Sequence, residues 1–289
     1  MRIVTVGVFD GVHKGHQEIL NSLKNLSKKY NASPEIYTIV FPMEYYTGNF
    51  DGLLISLEDR ITLLEMYGNV YTLNLHEIKD LSPYDFFDFI SKGTKAIVVG
   101  QDFRFGKNAA GDIKLLENLS KEKNINLKVV ADLIIDGKRV SSTLIRKLLK
   151  EGNIQKVNYL LGRNYPIYGK VYKDKQLGRK LGFPTANIRR SKELITPKFG
   201  VYLCKVYTPK LHFGLMNIGL RPTVEKTKSV KYEVYILDFN EDLYGKEIRV
   251  ELLEYLREET TFDSIDALIE QMKNDEKVAR KLLEEKYGN

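Results

Sequence analysis

Ile3-Val4-Thr5-Val6-Gly7-Val8-Phe9 runs directly into Asp10-Gly11-Val12-His13-Lys14-Gly15-His16. The apolar run reads as a buried strand, and the glycine-punctuated turn behind it opens a helical pattern over Gln17–Tyr30. Strand, turn and helix in that order present backbone N–H groups and a helix N-terminus at one point, a geometry that suits a phosphate. His13 and His16 stand at the turn and at the helix start, where ring N–H groups would meet charge developing on phosphorus. Gly15 between them allows close backbone approach where a Cβ would collide. The chain has four histidines and two of them fall in this one turn, which weighs against a pair of ligand-free helix-start histidines.

Outward from this turn, strand-like and helix-like patterns alternate. Strands are expected at Ile3–Phe9, Glu35–Phe41, Val70–Leu75, Ala96–Gly100 and Leu127–Val130, with helices at Gln17–Tyr30, Leu57–Tyr67, Pro83–Lys92 and Ile113–Lys123. Such alternation predicts a parallel sheet covered by helices, with ligands beyond the carboxyl ends of its strands. A helical stretch over Leu144–Leu161, broken at Gly152-Asn153, predicts two short connector helices. After Gly162 the pattern changes to short alternating runs at Pro166–Tyr172, Gly200–Tyr207, His212–Ile218, Lys231–Phe239 and Glu247–Tyr255. Strands at that spacing predict a small antiparallel barrel. The tail from Ile265 to Lys286 carries Ile265, Leu268, Ile269, Met272, Ala279, Leu282 and Leu283 on one helical stripe, with Asp263 or Ser264 as the cap. That stripe is expected to pack on the outside of the barrel.

Composition bounds the function. At 289 residues and 43% hydrophobic, the chain accommodates two packed domains. Net charge is +7, with +2 before Glu151 and +5 after it, and the charges are interspersed. This favours anionic ligands such as ATP, whereas nucleic-acid binding ordinarily shows a concentrated basic stripe. Tyr232 and Tyr235 fall on opposite faces of one strand, which does not build a stacking platform for RNA. Cys204 is the only cysteine, so an internal disulfide and a Cys-rich metal site are both excluded. The first apolar run is short for a signal peptide and no stretch approaches a membrane span, so a cytoplasmic location is expected.

Three further clusters carry chemistry. Ser141-Ser142-Thr143 leads a helix with Arg146 three residues on, a group that either caps the helix or binds triphosphate oxygens there. Gly178-Arg179-Lys180-Leu181-Gly182-Phe183-Pro184-Thr185-Ala186-Asn187 reads as a cationic flap followed by a strand that projects Thr185 and Asn187 to one side. Neutral oxygens of that kind suit Mg²⁺ already bound to ATP; a tight hairpin entering a strand explains the same residues without a ligand. Glu233 stands in the otherwise apolar Tyr232–Leu237 run, either as a desolvated general base or as a charge on the solvent face.

Together these stretches resemble the bacterial bifunctional riboflavin kinase/FMN adenylyltransferases, the FAD synthetases. The His-x-Gly-His turn is their nucleotidyltransferase signature. The likeness continues through Val99–Gly106, Ser141–Arg146, Leu161-Gly162-Arg163, Gly182–Asn187, Asn217–Thr223, Glu233 and Asp242-Leu243-Tyr244-Gly245. It implies a Rossmann-like nucleotidyltransferase domain over residues 1–161, followed by a six-stranded antiparallel riboflavin-kinase barrel with a C-terminal helix over 162–289. The first domain would join AMP from ATP to FMN, giving FAD and pyrophosphate. His13 and His16 would serve the transition state, while Gly7, Phe9, Asp10, Gly11, Gly15, Ser142, Thr143 and Arg146 would hold ATP. Asp102, Phe103, Arg104 and Phe105 would face FMN. The second would phosphorylate riboflavin with ATP and Mg²⁺. There Gly178, Lys180, Gly182, Pro184, Thr185 and Asn187 would bind nucleotide, Thr185 and Asn187 the metal, Glu233 would be the base and Arg257 would lie near the flavin. No nucleic acid, membrane or obligate protein partner is implied. Two departures stand out: Phe41-Pro42-Met43-Glu44-Tyr45-Tyr46 replaces the family's frequent Pro-His-Pro run, and Asp102 stands where Asn is common. The added charge at Asp102 would need Mg²⁺ or Arg104 to offset it. An enzyme with only one working domain is the main rival, yet His13, His16, Thr185, Asn187 and Glu233 are all present.

Overall fold

The computed structural model describes residues 1–174, 181–221 and 229–288. Gly178, Arg179 and Lys180 of the expected flap, and Pro222-Thr223, lie outside the described residues. The chain divides into two compact units, Met1–Leu144 and Ile145–Asn289.

The first unit is a five-stranded parallel sheet. Its strands are β1 (Arg2–Gly7), β2 (Ser33–Ile39), β3 (Asn69–Leu73), β4 (Thr94–Gly100) and β5 (Asn126–Val130), in the order β3-β2-β1-β4-β5. Helices α1 (Lys14–Tyr30), α2 (Met43–Thr47), α3 (Leu57–Glu65), α4 (Leu75–Ile78), α5 (Pro83–Ser91) and α6 (Ile113–Glu122) complete it, with a small hairpin of β6 (Ile134–Ile135) and β7 (Lys138–Arg139). Alternation along β1 sends Ile3 into one core with Leu20, Leu23 and Leu64, and Val4 and Val6 into another with Phe86, Ile90 and Leu116. The sheet is therefore covered on both faces, as the continuous apolar strands require. Strand order reverses between β1 and β4, so the loops after these two strands flank the switch point where such sheets bind ligands. Three expected strand ends in this unit shift. Phe9 lies outside β1 with φ 52°, Phe41 lies beyond the end of β2 at Ile39, and Leu75 opens α4 instead of closing β3.

Helix α7 (Ser142–Glu151) leads into α8 (Ile154–Leu161), with the break at Gly152 as expected. The second unit then closes a barrel from β8 (Tyr165–Tyr172), β9 (Thr185–Arg189), β10 (Gly200–Tyr207), β11 (Leu211–Arg221), β12 (Ser229–Ile236) and β13 (Glu247–Arg257). The order is β10-β11-β12-β9-β8-β13, all antiparallel, with β13 returning to β10. The sixth strand of the family fold is β9, the short Thr185–Arg189 stretch, which contains the extended Thr185–Asn187 segment expected from the sequence. Helix α9 (Ile265–Tyr287) is capped by Ser264, whose hydroxyl accepts from the Ala267 amide at 3.1 Å. Ala279 and Leu283 pack with Val201, Leu203, Leu215, Leu237 and Leu253 of the barrel. Ile265 does not join the stripe: it is 59% exposed in the first turn. Asp275 takes a buried position on that face, paired with Arg257.

The expected functional boundary at residue 162 falls after α8, inside the second unit. Ile154, Val157, Leu160 and Leu161 are buried, with α8 packed on β8 and β13. The Asn158 amide also donates to Leu252 O at 2.8 Å, and its oxygen accepts from the Tyr165 amide at 2.7 Å. Burial of an aliphatic side chain is worth about 1.5–3 kcal/mol. A fragment of residues 162–289 is therefore expected to be less stable than one of 145–289, by on the order of 5 kcal/mol. Urea unfolding of the two fragments, followed by circular dichroism, measures the difference; equal midpoints would show that α8 contributes nothing to the barrel.

Candidate active sites in the two units

In the first unit, the turn after β1 is held in an uncommon backbone conformation. Phe9 and Val12 have φ of 52° and 40°, and Gly11 has 79°. A β-branched residue at positive φ is a genuine outlier, and such strain persists only where surroundings enforce it. Three interactions do so. The Asp10 carboxylate accepts from the Leu54 amide at 2.9 and 3.0 Å, and the Ser142 hydroxyl donates to Asp10 O at 2.9 Å. Arg60, fully buried, donates to Val8 O at 2.6 Å, Ile39 O at 3.1 Å and Val40 O at 2.6 Å. It gathers the carboxyl ends of β1 and β2 beneath the turn. Nothing local in the sequence marks Arg60 for this work, because its partners lie 20 or more residues away.

His13 is the N-cap of α1. Its Nδ1 accepts from the His16 amide at 3.3 Å, which leaves the proton of a neutral ring on Nε2. The two imidazoles stack with centroids 3.6 Å apart, and the Phe9 ring meets His16 edge-on at 5.3 Å. At Gly15 a Cβ would stand 3.2 Å from the His13 ring, so any larger residue would have to displace that ring. His16 is held well below the usual imidazole value, first by burial and then by His13, Arg60 and Arg139. Its Nδ1 is buried without a hydrogen-bond partner, an atom left for a ligand to satisfy. Ser141 supplies the cap of α7, accepting from the Leu144 amide at 3.2 Å, while Ser142 binds the turn itself. Capping is thus the work of Ser141, while Ser142 ties α7 to the histidine turn through a backbone carbonyl, a contact neither reading anticipates. Thr143 is exposed, and Arg146 follows Ser142 by one helical turn.

After β4, Asp102 pairs with Arg139, which also bonds Asp132 at 2.9 Å. Arg104, expected to offset Asp102, instead lies 3.7 Å from Asp112. The compensating charge comes from the β6–β7 hairpin because that hairpin reaches the end of β4 in space. Phe105 is buried against Phe86 in the core, and Phe103 packs beside it. Asp102 and Arg104 are the exposed members of this run. The Phe41–Tyr46 departure forms α2 and an aromatic cluster beyond β2: Phe41 stacks on Tyr45 at 3.9 Å, and Tyr46 meets His76 at 4.8 Å.

In the barrel, register assembles the second site. Glu233 on β12 lies opposite Asn187 on β9, and Tyr235 lies opposite Thr185. The Thr185 hydroxyl donates to Glu233 Oε1 at 2.5 Å, and Lys231 Nζ meets Oε2 at 2.7 Å. Glu233 is half-buried and its charge is answered by Lys231, so it lies between the desolvated base and the solvent-face charge that the sequence allowed. Asn187 is 6% exposed and its Oδ1 has no partner. Gly182 has φ 87° with open space around it, so that turn needs glycine for its backbone angle alone. Pro184 is exposed beside buried Phe183. Arg257 is gripped by Asp275 at 2.7 Å, and Gln271 donates to the same carboxylate at 2.7 Å. Lys231 and Asp275 were not foreseen; a cation two residues before Glu233 on one strand face is the signal that could have found the first.

Donor chemistry at Thr185 and Asn187 fits a magnesium ion carried in by ATP. Thr185 gives its proton to Glu233 and keeps its lone pairs, and Asn187 offers an unsatisfied oxygen. Among the described residues no cluster of three or more His, Cys, Asp or Glu could hold a metal alone.

An α/β unit with a histidine turn at its switch point, joined to a barrel presenting Thr, Asn and Glu on adjacent strands, defines a two-domain phosphoryl- and nucleotidyl-transfer enzyme. A family model described as FAD synthetase matches residues 1–144, and one described as riboflavin kinase matches residues 161–283. Bifunctional riboflavin kinase/FMN adenylyltransferases of Escherichia coli K12 and Bacillus subtilis 168 are 34% and 31% identical, each over 96% of this chain and 91% of the relative. A crystal structure from Streptococcus pneumoniae titled a macrolide-efflux protein superposes with TM-score 0.88 at 29% identity, covering 96% of this chain and 93% of that one. The transport in that title is not carried over; among the described residues no helix here is long and apolar enough to cross a membrane. The chain belongs to the bifunctional riboflavin kinase/FMN adenylyltransferase family.

The lowered proton affinity of His16 has a measurable sign. At pH 5.5 an ordinary imidazole is about 90% protonated, whereas His16 is expected to remain largely neutral by ¹⁵N NMR. The unfolded chain then binds the extra proton, so His16 makes the fold less stable as pH drops below about 6.5. His16→Asn should remove that part of the acid sensitivity. A protonated His16 in the folded protein at pH 5.5 would contradict the assignment.

Proposed function

We propose that the two units divide the family's two ATP-dependent steps, with riboflavin phosphorylated to FMN on the barrel and FMN adenylylated to FAD in the α/β unit. The observation that carries the kinase half is the contact of Thr185 and Lys231 with Glu233 beside the unsatisfied Asn187. Glu233 takes the proton of the ribityl 5′-hydroxyl as its oxygen attacks the γ-phosphorus of ATP, and ADP leaves. Lys231 and Thr185 fix the carboxylate so that one oxygen lone pair meets that hydroxyl. Thr185 and Asn187 would hold Mg²⁺, which supplies neutralisation of the phosphate charge. Gly178, Lys180, Gly182 and Pro184 belong to the nucleotide side in this reading, and Arg257, oriented by Asp275, to the flavin side.

For the second step, a phosphate oxygen of FMN attacks the α-phosphorus of a second ATP and pyrophosphate departs. His13, through Nε2–H, and neutral His16 donate to the non-bridging oxygens as charge builds there. Gly7, Phe9, Asp10, Gly11 and Gly15 shape the turn, Ser142 anchors it, and Thr143 and Arg146 meet phosphates. Exposed Asp102 and Arg104 face FMN, while Phe103 and Phe105 support their loop from the core. The functional division is set at residues 161 and 162, with both reactions in the cytoplasm where ATP is supplied.

Incubation with riboflavin, ATP and MgCl₂ should yield FMN and then FAD by chromatography. His16→Ala is expected to lower kcat for FAD synthesis by about 10²–10³ with little change in KM for ATP, and to leave FMN formation intact. Glu233→Gln should depress FMN formation and spare FAD synthesis from supplied FMN. If either substitution impairs both reactions in a folded protein, the two-site assignment fails.

A further inference from the structure

The polar row that holds Glu233 extends one strand further than the kinase reading uses. Asn217 on β11 lies directly opposite Glu233, just as Asn187 does on the other side. Directly paired residues on antiparallel strands have their Cβ atoms about 4.5–5.5 Å apart and on the same face. On that face of β11, Phe213 and Leu215 pack against the apolar α9 cluster, and Gly219 has no side chain. Asn217 is thus an amide on an otherwise apolar strip, half-buried, with no side-chain hydrogen bond among the described residues. Its amide is therefore open to a ligand, on a face otherwise lined by apolar side chains.

The same row gives the ligand its direction. Asn187 and Thr185 lie on the β9 side of Glu233, and Asn217 lies on the opposite side. Beyond Asn217 the register continues to Val201 on β10 and Arg257 on β13. Phosphate ligands, base, amide and flavin-side cation follow in that order, with strands about 4.8 Å apart. Whatever joins the phosphorylated hydroxyl at Glu233 to the flavin near Arg257 must cross Asn217. In riboflavin that connector is a chain of secondary hydroxyls. An amide can both donate to and accept from a hydroxyl, which a carboxylate or an ammonium group cannot.

We propose that Asn217 hydrogen-bonds a secondary hydroxyl of the ribityl chain and is a specificity-determining residue of the kinase step; this rests on the assignment of Glu233 as base. Without that contact the acceptor loses one neutral hydrogen bond that the site is built to make.

The test compares riboflavin with a flavin carrying a 5-hydroxypentyl side chain, which keeps the terminal hydroxyl and lacks the secondary ones. In the full-length enzyme, Asn217→Ala is expected to lower the riboflavin-to-analogue ratio of kcat/KM about tenfold, the worth of one such bond. Asn217→Leu, near-isosteric but with neither donor nor acceptor, should lower it in the same direction and serves if the alanine variant loses the barrel fold by circular dichroism. An unchanged ratio, including equal losses on both acceptors, overturns the proposal and leaves Asn217 a structural residue. Glu233→Gln is assayed on both acceptors in parallel. Undiminished phosphorylation there would remove the base assignment, an outcome distinct from any change in the ratio.

Discussion

The register of β12 between β9 and β11 is the constraint on which the kinase half depends. Side chains alternate faces along a strand, so a slip of one residue would turn Glu233 into the barrel and Tyr232 or Val234 out of it. The pairing Glu233 with Asn187 and with Asn217 sets three polar side chains abreast on one face. Two positions along, Tyr235 reaches Glu276 of α9 at 3.3 Å, and its hydroxyl proton is held more tightly, first by burial and then by that carboxylate. The helix therefore packs on the same face as this polar row, through Ala279 and Leu283. Asp275, one turn before Ala279, turns the same helix into the support of Arg257. Packing and site construction are one set of contacts here, because both use the outward face of the same strands.

The α/β unit solves a different problem. Parallel strands end in carbonyls that face the ligand region, and these must be satisfied without filling it. Arg60 does so from below, its proton affinity reduced by burial and partly restored by Asp10. Its presence also helps keep His16 neutral, since a second cation nearby is disfavoured. His16 is thereby held toward its uncharged form, with paired cations at the edge of the turn. The N–H groups that open α1 are already oriented at this turn.

Much of this was legible in the sequence. The β/α alternation over the first half, the change after Gly162 and the break at Gly152-Asn153 all follow from local periodicity and turn chemistry, and the structure realises each within a few residues. What escaped depends on partners distant in the chain. The extended Thr185–Asn187 segment was legible as a strand, but its place between β12 and β8, which sets Asn187 opposite Glu233, was not. Ile265 fits the helical stripe by spacing, but in the first turn of α9 it finds no barrel beneath it. Arg60 sits in a helix like any surface arginine, and only the fold reveals that it points at three carbonyls.

Asp102 shows the same limit in electrostatic form. Proximity in sequence nominates Arg104 as its counter-charge, since the two are separated by a single residue. On an irregular loop that spacing carries no geometric meaning, and Arg104 turns to Asp112. The cation that meets Asp102 is Arg139, 37 residues away, which simultaneously holds Asp132 while Gln101 donates to Asp132 at 2.6 Å. Arg139 stands two residues before Ser141, so the loop after β4 is tied to the segment that begins α7. Because Ser142 in turn binds the histidine turn at Asp10 O, the unusual acid at position 102 belongs to a continuous set of contacts. That set runs from β4 through the hairpin to the turn after β1. The carboxylate fixes Arg139 beside the end of β4, and the departure from the common family residue is compensated within the same unit.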